Sequence, residues 1–389
     1  MNDMNAGKAR APRQIPADGF TVRAVTEVVR DLLTPNPWIF WTDLIVTLAV
    51  ANIALAIHFA TTNVWLQVAA FILAGIGFYR CSMFIHEVQH LRDGTFVGFK
   101  IAWNLFCGIP FLIPAYTYGD HKGHHVNREY GTLDDAEYLQ LVRQPLRSTF
   151  YMLSRIFWLP PVFLFRYMFL TPLAYMVVAV RHWIWKYATR APAINLSRNR
   201  YLPSPADEPI WKLQEAGCCI YAWTVMTMVA TGVLSWNWLL HIYFLSVFII
   251  TLSHSRTLAS HRFINDGREM TYIEQLLDST TVPGHPILTE IWGPIGLRYH
   301  ALHHVVPSIP YHNIGIAHRR LMGRLEPNSP YHATLRTSLY HALSDVATTM
   351  YRSHLKNRAS ARRARRRAQN PALAKSAPEL QLSNSTTSA

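Results

Sequence analysis

Two stretches of the chain, residues 44–79 and 216–255, contain no Asp, Glu, Lys or Arg. A helix that crosses the hydrocarbon of a bilayer takes about 20 residues, so each stretch has room for two helices and a tight turn. Thr61-Thr62-Asn63 divides the first stretch. Ser235-Trp236-Asn237-Trp238 divides the second and adds a pair of interfacial tryptophans. The pattern predicts helices from Leu44 to about Ala60, Trp65 to Phe78, Cys218 to Ala230 and Trp238 to Thr251. Ordinary buried core helices would not need such long charge-free runs. The expected fold is an all-α integral membrane protein with four transmembrane helices in two hairpins, about 40–85 and 216–255.

Two further apolar segments are interrupted. Gly108, Pro110 and Pro114 break residues 101–119, and Pro160, Pro161, Arg166 and Pro172 break residues 156–180. Unpaired backbone groups and charges are costly in hydrocarbon, so both segments are expected to lie in the interface or dip into it. If only one of them crossed, the histidine clusters described below would fall on opposite sides.

Composition narrows the class. Charged residues make up 15% of the 389 positions and hydrophobic ones 50%, against about a quarter charged in soluble domains. A wholly disordered chain is excluded and an ordinary soluble globule is disfavoured. The net charge of +14 comes from 37 Lys and Arg against 23 Asp and Glu, and every basic residue lies outside the two charge-free stretches. The positive-inside rule then places both termini and the long connections on the cytoplasmic side, in what is expected to be a bacterial inner membrane. Seven basic residues among the twelve from Lys356 to Arg367 are expected near anionic headgroups. With this hydropathy the positive charge does not argue for a nucleic-acid partner. The four cysteines have no CxxC spacing, which fits a reducing, cytosol-facing environment. The expected organisation is a polar segment 1–35, a catalytic domain 36–325, a basic cytosolic segment 326–368 and a disordered tail 369–389.

The chemistry is carried by histidine, of which there are nineteen. His86 and His90 stand four apart at the end of the second helix, on one helical face. His121, His124 and His125 form an HxxHH cluster, and His300, His303 and His304 repeat that spacing. Eight imidazoles are too many for one ion. They suit borderline metals such as Fe, Zn, Cu or Ni and could fill two coordination spheres with room left for oxygen. His86-Glu87-Val88-Gln89-His90 is also a literal HExxH, the zinc-protease signature with the glutamate as base. That reading leaves both HxxHH clusters unexplained, and Glu87 is expected instead to orient a ligating imidazole. Asp134, Asp135 and Glu137 are further acceptors for ligand N–H groups, or else exposed acids. A membrane metal transporter would want polar groups at mid-span. Only His58 and His241 lie there, and an interhelical hydrogen bond is expected of them.

The three boxes, in this order, resemble the membrane fatty acid desaturase and hydroxylase superfamily. The resemblance covers roughly residues 36–325. It extends to Val305-Val306-Pro307-Ser308-Ile309-Pro310-Tyr311-His312 after the third box and to Arg256-Thr257-Leu258-Ala259-Ser260-His261-Arg262 after the second hairpin. It implies four spanning helices carrying a cytosolic helical cap, with two non-heme irons and O2 as cosubstrate. It also implies that His261 is a ninth ligand. Where the acyl-CoA branch places an asparagine four residues before that histidine to hold an iron-bound water, this chain has Thr257. Thr257 and His312 are thus counted among the supporting residues.

The resemblance implies oxidation of an acyl chain of a fatty acid or membrane lipid. Removing two hydrogens gives a double bond, oxygen rebound gives an alcohol, and loss of CO2 from a fatty acid gives a terminal alkene. Desaturation is placed first, followed by hydroxylation of an acyl chain or alkane, decarboxylation and, remotely, the zinc protease. The chain has no iron–sulfur spacing, dinucleotide fingerprint or heme module. Electrons are therefore expected from a separate donor such as ferredoxin, or cytochrome b5 with its reductase, docking on the basic surface.

Overall fold

The computed structural model describes residues 14–119, 121–125, 128–188 and 202–369. The disordered tail expected at 369–389 lies outside the described residues apart from Gln369, which ends a helix. In chain order the helices are α1 (Val22–Val29), α2 (Pro37–Ala60), α3 (Val64–His90), α4 (Val97–Trp103), α5 (His121–His124), α6 (Pro145–Phe165), α7 (Thr171–Met176) and α8 (Val178–Tyr187). After residues 189–201 follow α9 (Glu208–Ala230), α10 (Trp236–Ser260), α11 (Tyr272–Asp278), α12 (Pro286–Trp292), α13 (His300–Val305), α14 (Tyr311–Met322) and α15 (Leu339–Gln369). Among the described residues there is no β-strand, only three isolated bridges.

The helix starts follow local chemistry. Asn36, Asn63 and Ser235 each accept a backbone N–H of the first turn of α2, α3 and α10, satisfying donors that a new helix leaves free. α3 is the central helix. A Cβ at Gly77 would stand 2.8 Å from the Ala51 Cβ on α2, and one at Gly75 would stand 2.4 Å from the Phe248 ring on α10. Only glycine allows both close approaches, the small-residue device by which apolar helices pack without a hydrophobic drive. His58 on α2 and His241 on α10 meet at 3.0 Å, the interhelical contact the sequence led us to expect.

Four helical segments are long and apolar enough to cross a membrane: Pro37–Ala60, Val64–His90, Pro145–Met176 and Trp236–Ser260. The number agrees with the sequence reading, but one member does not. α9 begins ten residues before Cys218, carries Glu208, Lys212 and Glu215, and is not among the four. In its place stands the segment expected to lie in the interface. Pro160 and Pro161 are accommodated inside α6, and a π-helical turn, Arg166–Leu170, joins α6 to α7. Arg166 does not break the segment because Glu215 of α9 meets it at 2.6 Å. That carboxylate also accepts from Tyr116 at 2.9 Å and Trp185 at 3.1 Å. A buried charge is tolerated when paired and hydrogen-bonded, and the partner lies 49 positions away. By contrast, 101–119 breaks up as expected into α4, a π-helical turn and an irregular return held by Ala115 N–H on Asn104 Oδ1.

The remaining helices build a second layer over the ends of α3 and α10. Within the polar segment expected at 1–35, Ile15 N–H donates to Arg324 O at 2.8 Å. Phe20 stacks on Tyr331, and α1 lies on α14 in the cap core with Val25 and Val29. The C-terminal segment packs on the same layer. Val346 of α15 joins the cluster of Tyr130, Tyr138, Met152 and Phe263, and Asn357 bonds the carbonyl of Val142.

Candidate metal centre

The last turn of α3 carries His86 and His90, one turn of α5 carries His121 and His124 with His125 behind it, and α13 carries His300, His303 and His304. His261 is the first residue beyond α10, where the backbone becomes extended. These segments converge, and all nine histidines face one another in two groups. His86, His90, His121, His125 and His303 form one, and His124, His261, His300 and His304 the other. Within each group the nitrogens lie within 4.8 Å of one another. The sequence did not reveal this division, which separates adjacent residues of both HxxHH boxes.

Nitrogens of different rings come within hydrogen-bond distance of one another. His124 Nε2 is 3.1 Å from His261 Nε2, which is 2.9 Å from His300 Nε2, itself 3.0 Å from His304 Nε2. In the other group His125 Nε2 stands 3.1 Å from His121 Nε2 and 3.2 Å from His303 Nε2. The outer nitrogens fix the tautomers. Asp135 Oδ2 accepts a hydrogen bond from His124 Nδ1–H at 2.8 Å. Tyr130 donates its hydroxyl proton to Asp278 at 2.8 Å, so its oxygen accepts from His261 Nδ1–H, also at 2.8 Å. The Nε2 atoms of His124 and His261 face each other inside the group. Glu137 does the same for His121, accepting from Nδ1 at 2.8 Å.

Such an arrangement suits a cation between the rings. Metal–imidazole bonds of about 2.0–2.1 Å set neighbouring ligand nitrogens about 3 Å apart, the spacing seen here. His86 Nε2, His90 Nε2, His125 Nδ1 and His300 Nδ1 are buried without a partner, and buried polar atoms are seldom left so. The rings are also ready to bind. Burial, followed by the neighbouring imidazoles, pushes His125, His261, His300, His303 and His304 well below the usual histidine range, so they are neutral. Burial alone would raise the Glu137 carboxyl, but His121 and its hydrogen bond outweigh it and hold the group at about 2. The residues fit a pair of metal ions.

The supporting residues come out differently from one another. Asp135 and Glu137 stand directly behind ligand nitrogens, and Asp135 also accepts the N–H of Gly131 and of Glu137. Asp134 is exposed. Glu87 Oε1 lies 3.6 Å from His86 Nδ1, and its Oε2 accepts the backbone N–H of Tyr311 at 3.1 Å, tying α3 to α14. Thr257 donates to Ser253 O at 3.0 Å, closing on its own helix. His312 accepts the Asn36 N–H at 3.1 Å, at the entry to α2. Tyr130, Asp278 and Tyr118 were missed. Tyr118 stacks on His121 and donates to Glu137 at 2.9 Å. Nothing in the sequence marks these three, because their spacing to the boxes follows no helical or motif period.

A family model described as "Fatty acid desaturase" matches residues 63–335. A ceramide hydroxylase of Caulobacter vibrioides (strain NA1000 / CB15N) is 34% identical over 341 residues, covering 85% of this chain and 94% of the relative.

Proposed function

The chain belongs to the fatty acid desaturase family of membrane oxidoreductases, and from that membership we propose that it is an O2-dependent di-iron hydroxylase of ceramide or a closely related lipid. The observation that carries the reading is the 34% identity to a ceramide hydroxylase along nearly the whole of both chains. It favours hydroxylation over desaturation, which the sequence put first. The nine histidines would hold two irons, five imidazoles to one and four to the other. Neutral nitrogen ligands suit iron in such a set. When bound, the pair supplies the activation of O2 needed to oxidise an unactivated C–H bond.

The protein's own contribution is orientation and exclusion of water. Asp135, Tyr130 and Glu137 hold His124, His261 and His121 in the tautomer that presents Nε2 inward, an arrangement whose loss costs about 10–100-fold in metal affinity or activity. The protease alternative loses support because Glu87 is engaged with Tyr311. The convergence of all nine histidines also bears on topology. The chain must cross the membrane an even number of times between His125 and His261. Of Pro145–Met176, Glu208–Ala230 and Trp236–Ser260, two cross or none. We place the centre and both termini on the cytoplasmic side, where a separate redox protein delivers the electrons.

The test is mass spectrometry of lipids from ceramide-containing cells expressing the chain, beside a His124→Ala control. Ceramides with one added oxygen atom, absent from the control, are expected. Ceramides lacking two hydrogens instead would return the reading to desaturation. No change, from protein shown to hold two irons and given a reductant, would overturn both.

A further inference from the structure

From Val346 to its end α15 contains no Asp or Glu, while six arginines and Lys356 stand exposed on it. Among the described residues none of these cations is within ion-pair distance of a carboxylate. The helix has two distinct sides. Val346, Met350, Ser353 and Asn357 recur every three or four residues and form the side turned to the body, where Val346 packs with Met152 and Phe263. Tyr351, Leu355, Arg358, Arg362 and Arg366 follow the same rhythm on the opposite side, and all five are exposed. Arg358, Arg362, Arg363 and Arg366 frame, with Leu355 and Ala359, a shallow depression of about 390 Å³. Like charges four positions apart weaken a helix, so this row of arginines gains from an anion laid along it.

Depth gives the kind of anion. α15 runs antiparallel to the start of α6: Val346 packs with Met152, Thr149 donates to Met350 Sδ at 3.1 Å, and Asn357 donates to Val142 O at 3.0 Å. On α6 the side chains of Leu146, Phe150, Leu153 and Phe157 are exposed along one stripe, in a segment long and apolar enough to cross the membrane. Tyr351 and Leu355 therefore lie abreast of the first apolar turn, at the depth where tyrosine marks the membrane interface. The row of arginines begins one turn further out, at the level of headgroup phosphates. Arg143, whose carbonyl accepts from Asn357 at 3.3 Å, adds an exposed cation at that level. Guanidinium pairs with phosphate through parallel hydrogen bonds. A basic segment drawn to headgroups is expected from sequence; a discrete site is not. We propose that α15 carries a binding site for one anionic phospholipid. Arg358, Arg362, Arg363 and Arg366 hold its phosphate, and its chains descend past Leu355 and Tyr351 alongside α6. The site is separate from the histidine centre and independent of the reaction performed there.

Full-length protein, stripped of lipid in an uncharged detergent, is titrated with phosphatidylglycerol or phosphatidylcholine, and bound lipids are counted by native mass spectrometry. Wild type is expected to retain one phosphatidylglycerol at least about tenfold more tightly than phosphatidylcholine, since each cation near the phosphates contributes. Replacing the four arginines together (Arg358→Gln, Arg362→Gln, Arg363→Gln, Arg366→Gln) should abolish that preference. Replacing all four by lysine should keep it within about threefold of wild type, because lysine still meets phosphate as a point charge. The four side chains are exposed, so both variants should melt with wild type. Glycerol 3-phosphate, which has the phosphate without the chains, should not displace the lipid at equal concentration. Equal preference in wild type and the glutamine variant overturns the proposal, as does a wild type that binds the two lipids alike. Displacement by glycerol 3-phosphate overturns it in favour of a soluble phosphate. A wild type indifferent to phosphatidylglycerol that retains an added acidic ferredoxin, with retention lost in the glutamine variant, overturns it in favour of a protein partner.

Discussion

In the four-histidine group, two rings are gripped from behind, His124 by Asp135 and His261 by Tyr130, itself anchored on Asp278. In the five-histidine group only His121 has such a grip, from Glu137. Both nitrogens of His86, together with His90 Nε2 and His125 Nδ1, have no hydrogen-bond partner, against His300 Nδ1 in the smaller group. Exposure follows the same division: His90 and His125 are partly accessible in the larger group, and only His304 in the smaller. More ligands do not make the more rigid site. Rigidity at a metal comes from the groups behind the ligands, so the four-histidine group is the fixed pole and the five-histidine group the adaptable one.

The largest effect is expected where one residue holds most. Asp135→Ala removes the acceptor of His124 Nδ1–H and of two backbone N–H groups. Turnover should fall at least about 100-fold, with the four-histidine metal lost. Turnover and metal content per chain check it. Next, Glu137→Gln should weaken the five-histidine site about 10–100-fold. Metal content then approaches one per chain, and the fast phase of release to a chelator disappears. Simultaneous loss of both metals would break the comparison. Tyr130→Phe keeps the ring packing but removes the oxygen that His261 bonds, with an expected cost of about 1 kcal/mol, or roughly fivefold in metal affinity, confined to the smaller group.

The smallest effect lies outside both groups. Burial, then Arg319 and Arg298, push the His318 imidazole down to about 4. The ring is neutral in the fold but takes a proton in the unfolded chain below about 6.5. It therefore costs nothing above that pH, and stability falls as pH drops from 6.5 towards 4. His318→Phe, at the price of the Tyr331 hydrogen bond, should flatten melting temperature against pH in that window. Acid sensitivity that survives belongs to the histidine centre.

The sequence by itself determined what depends on local order. Charge-free length marked α2, α3 and α10, because a bilayer reads composition over about 20 residues. Helical spacing marked the boxes, because positions three and four apart share a face. It did not mark Pro145–Met176 as long and apolar enough to cross, because two prolines and Arg166 looked like interruptions. What cancels them is Glu215 on another helix, which no window along the chain contains. The contacts of Glu87 with Tyr311, of Thr257 with Ser253 and of His312 with Asn36 were likewise outside what a linear reading offers. The division of the histidines into five and four and the grip of Tyr130 and Asp278 were decided only in three dimensions. Each depends on which side chains meet when distant segments close on one point, and a contact between residues a hundred positions apart leaves no period in the chain.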